Sequence, residues 1–187
     1  NINQPTGDEV VSGEIIPPTR TDCADELDTE CWNTYRNTEY GFEFKYPGGW
    51  GAEKSTNNQR KIYINSDTLK ENEWGIINEG LQLGVLISQN NSQDTDISID
   101  KFDFGMQVGP LKETKDVVIN SKTAKVFVFE GLNFLAFPEN TDIILSSHLE
   151  YRDYKRIISI NINTGGKNRY LNYDLFRDII LPTFRFD

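Results

Sequence analysis

Apolar and polar residues alternate with period two along much of the chain, and that alternation predicts strands. Phe42, Phe44 and Tyr46 alternate with Glu43 and Lys45, so three aromatics share one face and two charges the other. Gly41 opens this run and Pro47-Gly48-Gly49 closes it, since proline cannot donate to a ladder and glycine allows a sharp turn. A strand near Asn33 to Arg36 and a turn at Asn37 to Tyr40 complete an aromatic hairpin, with Trp32 and Trp50 at its flanks. Each ring buries roughly 150–250 Å², so the aromatic face calls for a large cover.

Further strands follow by the same rule. Ile62 and Ile64 alternate within Lys61 to Asn65, and Leu81, Leu83, Val85 and Ile87 within Gly80 to Gln89, with Leu86 on the opposite face. Thr114 to Asn120 and Thr123 to Glu130 flank the turn-like Asn120-Ser121-Lys122. The second of them is apolar on both faces, which suits a strand with neighbours on each side. Ile143 to Tyr151 and Lys155 to Asn163 flank Arg152-Asp153-Tyr154. In the latter, Ile158, Ile160 and Ile162 oppose a polar face of Ser159, Asn161 and Asn163.

The period changes to a helical one twice. Ile99, Phe102 and Met106 predict a short amphipathic helix after Ser98. Leu171, Leu175, Phe176, Ile179 and Ile180 predict an apolar stripe on a helix over Arg169 to Leu181. Pro182 ends that helix, and Phe184 and Phe186 alternate as a last short strand. The class expected is α+β: a twisted antiparallel sheet with helices packed on it.

Charge divides the chain. Residues 1–31 carry eight acids and one base, which is −7 of the total −10. This segment is broken by Pro5, Gly7, Gly13, Pro17 and Pro18 and reads as an arm or linker, leaving residues 32–187 as the domain. Its apolar spots, Val10, Val11, Ile15 and Ile16, suit either a solvated tether or an extended strand added to a neighbouring subunit. A nearly balanced domain with an acidic arm has no basic face for nucleic acid. No apolar run approaches the ~20 residues that span a bilayer. The chain begins at Asn1 rather than Met, so a trimmed product is expected, with room for a signal peptide or anchor ahead of it.

The only cysteines, Cys23 and Cys31, lie in the arm. Their spacing and the single histidine are poor for a metal, and a disulfide is the preferred reading over two unpaired thiols. Closing so small a loop is worth roughly 2.5 kcal/mol in the chain-entropy model, and the bond would require an oxidising compartment.

Three stretches resemble PsbP-like domains. YRNTEYGFEFKYPGGW at Tyr35 to Trp50 resembles their opening hairpin. VVINSKTAKVFVFE at Val117 to Glu130 resembles their middle hairpin, with Ser121 where glycine is common. YDLFRDIILPTFRF at Tyr173 to Phe186 resembles their closing helix and strand. The resemblance spans residues 32–187 in order. It implies an α/β/α sandwich and a bacterial exported domain, anchored through a polar, proline-containing linker like residues 1–31. It supplies no catalytic set.

The residues themselves offer little chemistry. His148 is the only histidine, lies in a strand-like stretch, and has no G-x-S-x-G elbow to serve. Gly165-Gly166-Lys167 lacks the rest of a phosphate loop and reads as a turn before a helix. Asp94, Asp96, Asp100 and Asp103 with Asn90 and Asn91 are weak candidates for calcium, without the glycine and terminal glutamate of an EF-hand. Trp74 is either a recognition residue or a folded-back core residue. The expected function is therefore a non-enzymatic extracytoplasmic protein-interaction domain with no cofactor, touching a membrane only through an anchor outside this sequence. The alternatives are a surface-filament subunit that inserts its arm into the next subunit and, below that, a hydrolase of surface polymers.

Overall fold

The computed structural model describes residues 13–20, 22, 25–54, 61–73, 77–90, 111–119, 122–130, 145–152 and 156–186. The strands in chain order are β1 (Gly13–Ile16), β2 (Asn33–Asn37), β3 (Phe42–Tyr46), β4 (Gly51–Lys54), β5 (Lys61–Asn65), β6 (Lys70–Glu71), β7 (Ile77–Gln89), β8 (Leu111–Ile119), β9 (Lys122–Glu130), β10 (Leu145–Arg152), β11 (Arg156–Gly165) and β12 (Arg185–Phe186). A helix α1 (Arg169–Leu175) runs into a π turn (Phe176–Ile180) and a 3-10 turn (Leu181–Thr183).

The strands form two antiparallel sheets. The smaller has the order β1-β2-β3-β12 and the larger β4-β5-β7-β11-β10-β9-β8, with β6 paired to β7. Between them lies one core. Phe42, Phe44 and Tyr46 come from β3, Ile62 and Ile64 from β5, Leu81, Leu83, Val85 and Ile87 from β7, and Ile158, Ile160 and Ile162 from β11. Phe176, Ile180 and Leu181 enter this core from the helical segment, and Phe44 stacks on Phe184 with centroids 4.5 Å apart. The alternation expected for these strands is the alternation observed. The residues between the core positions, such as Glu43, Lys45, Leu86, Ser159 and Asn161, are partly exposed. The class is α+β.

Chain reversals sit where the sequence supplies them. Gly166, with φ of +76°, turns the chain out of β11 into α1, a conformation that side chains with a Cβ rarely adopt. At the start of the chain Gly13 matters for space: a Cβ there would meet the Tyr35 hydroxyl at 2.0 Å.

Two expectations change. The apolar stripe of the helix does not begin at Leu171, which is 68% exposed. At 3.6 residues per turn Leu171 lies about 140° round the helix from Phe176. The core contact centres on Phe176 and Ile180, with Tyr173, Leu175 and Ile179 half-buried beside them. The arm is also not wholly apart from the domain, because β1 is hydrogen-bonded to β2 of its own chain.

Candidate functional site

Three regions collect the exposed or polar groups on which function can rest. The first is the docked arm. In β1, Glu14 faces Arg36, Ile15 faces Tyr35 and Ile16 faces Thr34. Ile15 and Ile16 thus pair within the chain, and Ile15 stays half-exposed at the sheet edge. The following segment is tied down by polar contacts. Arg20 bridges Asp22 and Asp28 at 3.1 Å each, Trp32 Nε1 donates to the Glu26 carbonyl at 2.8 Å, and Lys45 Nζ donates to the Thr29 carbonyl at 2.9 Å. Asp28 caps the short 3-10 turn Thr29–Cys31 by accepting from the Glu30 amide. Trp32, a flank of the aromatic hairpin, is therefore a core residue.

On the outward face of this small sheet, register lines up Glu14, Arg36, Glu43 and Arg185 across four strands with alternating sign. Arg36 Nε meets Glu43 Oε2 at 2.7 Å. Opposite charges side by side neutralise one another along this row. Beneath it, burial holds the Tyr35 and Tyr46 phenols above the usual tyrosine value, against smaller opposing hydrogen bonds from Asn37 and Asn33.

The second region is the outward side of α1. Tyr170 and Leu171 are exposed large side chains next to one another. The Arg169 guanidinium lies 4.7 Å from the Tyr170 ring centroid and donates to the Gly166 carbonyl at 3.1 Å. About two turns further on, Arg177 pairs with Asp174 and Asp178. That hydrogen bond from Arg177 holds the Asp178 carboxyl below its ordinary range. Burial raises the Tyr173 phenol, with Arg177 acting in the opposite direction.

The third region is β8, the last strand of the large sheet. Its residues Leu111 to Asp116 are all exposed, and its sequence LKETKDVVI mixes signs closely. Glu113 pairs with Lys115 of the same strand at 2.8 Å, and Asp116 with Lys125 of β9 at 2.9 Å. A bulge falls between Leu111 and Glu113.

The sequence offered no catalytic set, and its weak metal candidates are not among the described residues. His148 lies in β10, opposite Phe127 of β9 and Asn161 of β11 in the ladder. No group of three His, Cys, Asp or Glu able to hold a metal occurs among the described residues. Gly166 and Lys167 form the turn before α1, as their sequence implied. Asp94, Asp96, Asp100, Asp103, Trp74, Val10, Val11 and the helix expected after Ser98 lie outside the described residues, as does Cys23. Cys31 is buried, and no described cysteine is free. Sequence reasoning passed over Tyr170 and the β8 edge. An adjacent Tyr-Leu pair off the helical stripe, and a strand of charges with too few core positions, were the signals available.

The architecture, an antiparallel sheet closed by an aromatic hairpin and a C-terminal helix and strand, defines a PsbP-like fold. The chain is similar to the solution structure of cyanobacterial PsbP (CyanoP) from Synechocystis sp. PCC 6803, with a TM-score of 0.51 and 14% identity over 100% of this chain and 99% of that one. No family model and no curated protein matches the chain. Among the described residues, no helix is long and apolar enough to cross a membrane.

Proposed function

We propose that the chain is a PsbP-family interaction domain, non-enzymatic and working outside the cytoplasm, anchored by sequence upstream of Asn1. The observation that carries this reading is the likeness to CyanoP over the full length of both chains. The exposed Tyr170 and Leu171, with Arg169 stacked on the ring, support a protein contact, since Tyr and Arg are the side chains that most often dominate binding energy. The address rests on the Cys23–Cys31 pairing, which an oxidising compartment would maintain.

The test has two arms. Intact mass of native material should fall by two hydrogens relative to reduced material, and fractionation should place the full-length protein outside the cytoplasm. Two free thiols in oxidised native protein, or a cytoplasmic location, would refute the address. Cross-linking in intact cells should capture a defined protein with the wild-type chain and lose it with Leu171→Asp, while the variant keeps its circular dichroism. Capture unchanged by that substitution would refute the helix surface.

A further inference from the structure

We propose that two copies of this chain pair edge to edge through β8, antiparallel about a two-fold axis at Thr114. β8 ends the order of the large sheet, and among the described residues no strand pairs with its outer edge. A strand left so has backbone donors and acceptors ready for another strand. Charges on an edge ordinarily repel such pairing. Here the order of the signs, Lys112-Glu113-Thr114-Lys115-Asp116, selects one partner instead. Reversed and laid against itself about Thr114, it sets Lys115 opposite the partner's Glu113 on both sides of the axis.

The side chains fall on the correct faces. Glu113 and Lys115 share one face of the strand and already touch at 2.8 Å. In the pair they form a square with the partner's Glu113 and the partner's Lys115, opposite signs along every side. Thr114 meets the partner's Thr114 on the other face. The bulge between Leu111 and Glu113 ends the regular ladder there, so the contact is short.

Neighbouring registers are penalised. Centring the pair on Lys115 opposes Lys115 to the partner's Lys115, and centring it on Glu113 opposes two glutamates. An axis midway between two residues would set side chains of opposite faces against one another, which an antiparallel ladder does not allow. Like charges directly opposite are destabilising, so of these neighbouring registers only the one centred on Thr114 remains. The assembly is isologous and closed, a dimer and not a fibre. Its small area makes it a weak one, and screening by salt weakens it further.

Sedimentation of the full chain over a concentration series reads the dimer directly. Wild type should dimerise, less so as salt is added. Lys115→Glu alone and Glu113→Lys alone should each weaken association by about ten-fold or more. An equimolar mixture of the two variants should associate more tightly than either alone, because each like-charged contact across the seam becomes an opposite one. Circular dichroism checks that both variants fold. If either does not, amide exchange of the wild type decides: β8 amides alone should slow as concentration rises. A wild-type chain that stays monomeric at millimolar concentration would overturn the proposal. So would a dimer indifferent to Lys115→Glu, a mixture no tighter than its components, or exchange in β8 that ignores concentration.

Discussion

β3 and β8 are both strands in which charged residues are prominent, yet they occupy opposite situations. β3 has β2 on one side and β12 on the other, and its burial alternates strictly, with Phe42, Phe44 and Tyr46 inside. Among the described residues β8 has only β9 beside it, and burial begins only at its last residues, Val117 and Ile119. In β3 the charges occupy the face left over after the aromatics have taken the core. In β8 the charges occupy both faces of an end of the sheet that reaches past the core. A charged position in a strand therefore reports different things according to what its neighbours in the strand are. Between aromatics it marks the solvent face, and among other charges it marks an edge.

The largest effect that separates the two strands is loss of a core ring. Phe44→Ala should cost about 3–5 kcal/mol in denaturant unfolding, since the ring is fully buried and stacked on Phe184. Thr114→Ala in β8 should cost under about 0.5 kcal/mol. Equal costs would break the comparison.

A second test concerns the close approach of β1 to β2. Gly13→Ala forces a methyl group against the buried Tyr35 ring, with its hydroxyl oxygen 2.0 Å away. It should destabilise by about 1–3 kcal/mol. Gly49→Ala, where an added Cβ meets nothing within 4 Å, should stay within about 0.5 kcal/mol of wild type. Thermal unfolding measures both, and a harmless Gly13→Ala would show that β1 is not seated on Tyr35.

Alkaline pH sharpens the comparison from the side of the aromatic hairpin. Tyr35 and Tyr46 keep their protons longer when folded than when unfolded, because burial opposes the phenolate. At pH below the unfolded value of about 10, both states are protonated and the full stability is present. Above it the unfolded chain releases protons that the folded one retains, so stability falls with rising pH. Tyr35→Phe should flatten that fall in unfolding measured across this range, and phenolate absorbance of the folded chain should lag behind free tyrosine.

The smallest effects are expected at the surface of each strand. Glu43→Ala removes an exposed pair with Arg36 and should cost under about 0.5 kcal/mol. Val118→Thr in β8, at a position 72% exposed, should fall in the same range. A larger loss at Val118 in the monomer would mean that this end of β8 is covered.

Much of this arrangement was legible in the chain. β3 and β5 have the bounds that their alternation predicts, and β7 and β11 bury the predicted Leu, Val and Ile positions without exception. Each carries a run of large apolar residues whose period can be counted. β4 was not legible, because Gly51-Ala52-Glu53-Lys54 has little strand preference and is held by its pairing with β5. β1 was read as linker since its two isoleucines are flanked by glycine and prolines, and its strand conformation comes from the edge that β2 offers. Helical spacing assigns Leu171 to the core because spacing alone does not say where an apolar stripe stops. The surfaces left least trace: nothing in the composition separates Tyr170 from a buried tyrosine. The signs of β8, which invert about Thr114, acquire meaning only once the strand is known to be an edge.

The docked arm has a mechanical consequence. β1 and β2 run antiparallel, with Gly13 at the upstream end paired to Asn37. A load applied upstream of Gly13 would open this ladder like a zipper, one rung at a time, and would not shear all its bonds together. The segment from Gly13 to Cys23 could then pay out as slack, roughly 35 Å at ~3.3–3.6 Å per extended residue, before tension passed through a Cys23–Cys31 bond to the neighbour of Trp32. The arm would behave as a reversible shock absorber in series with the domain, yielding at low force and re-zipping when the pull is released.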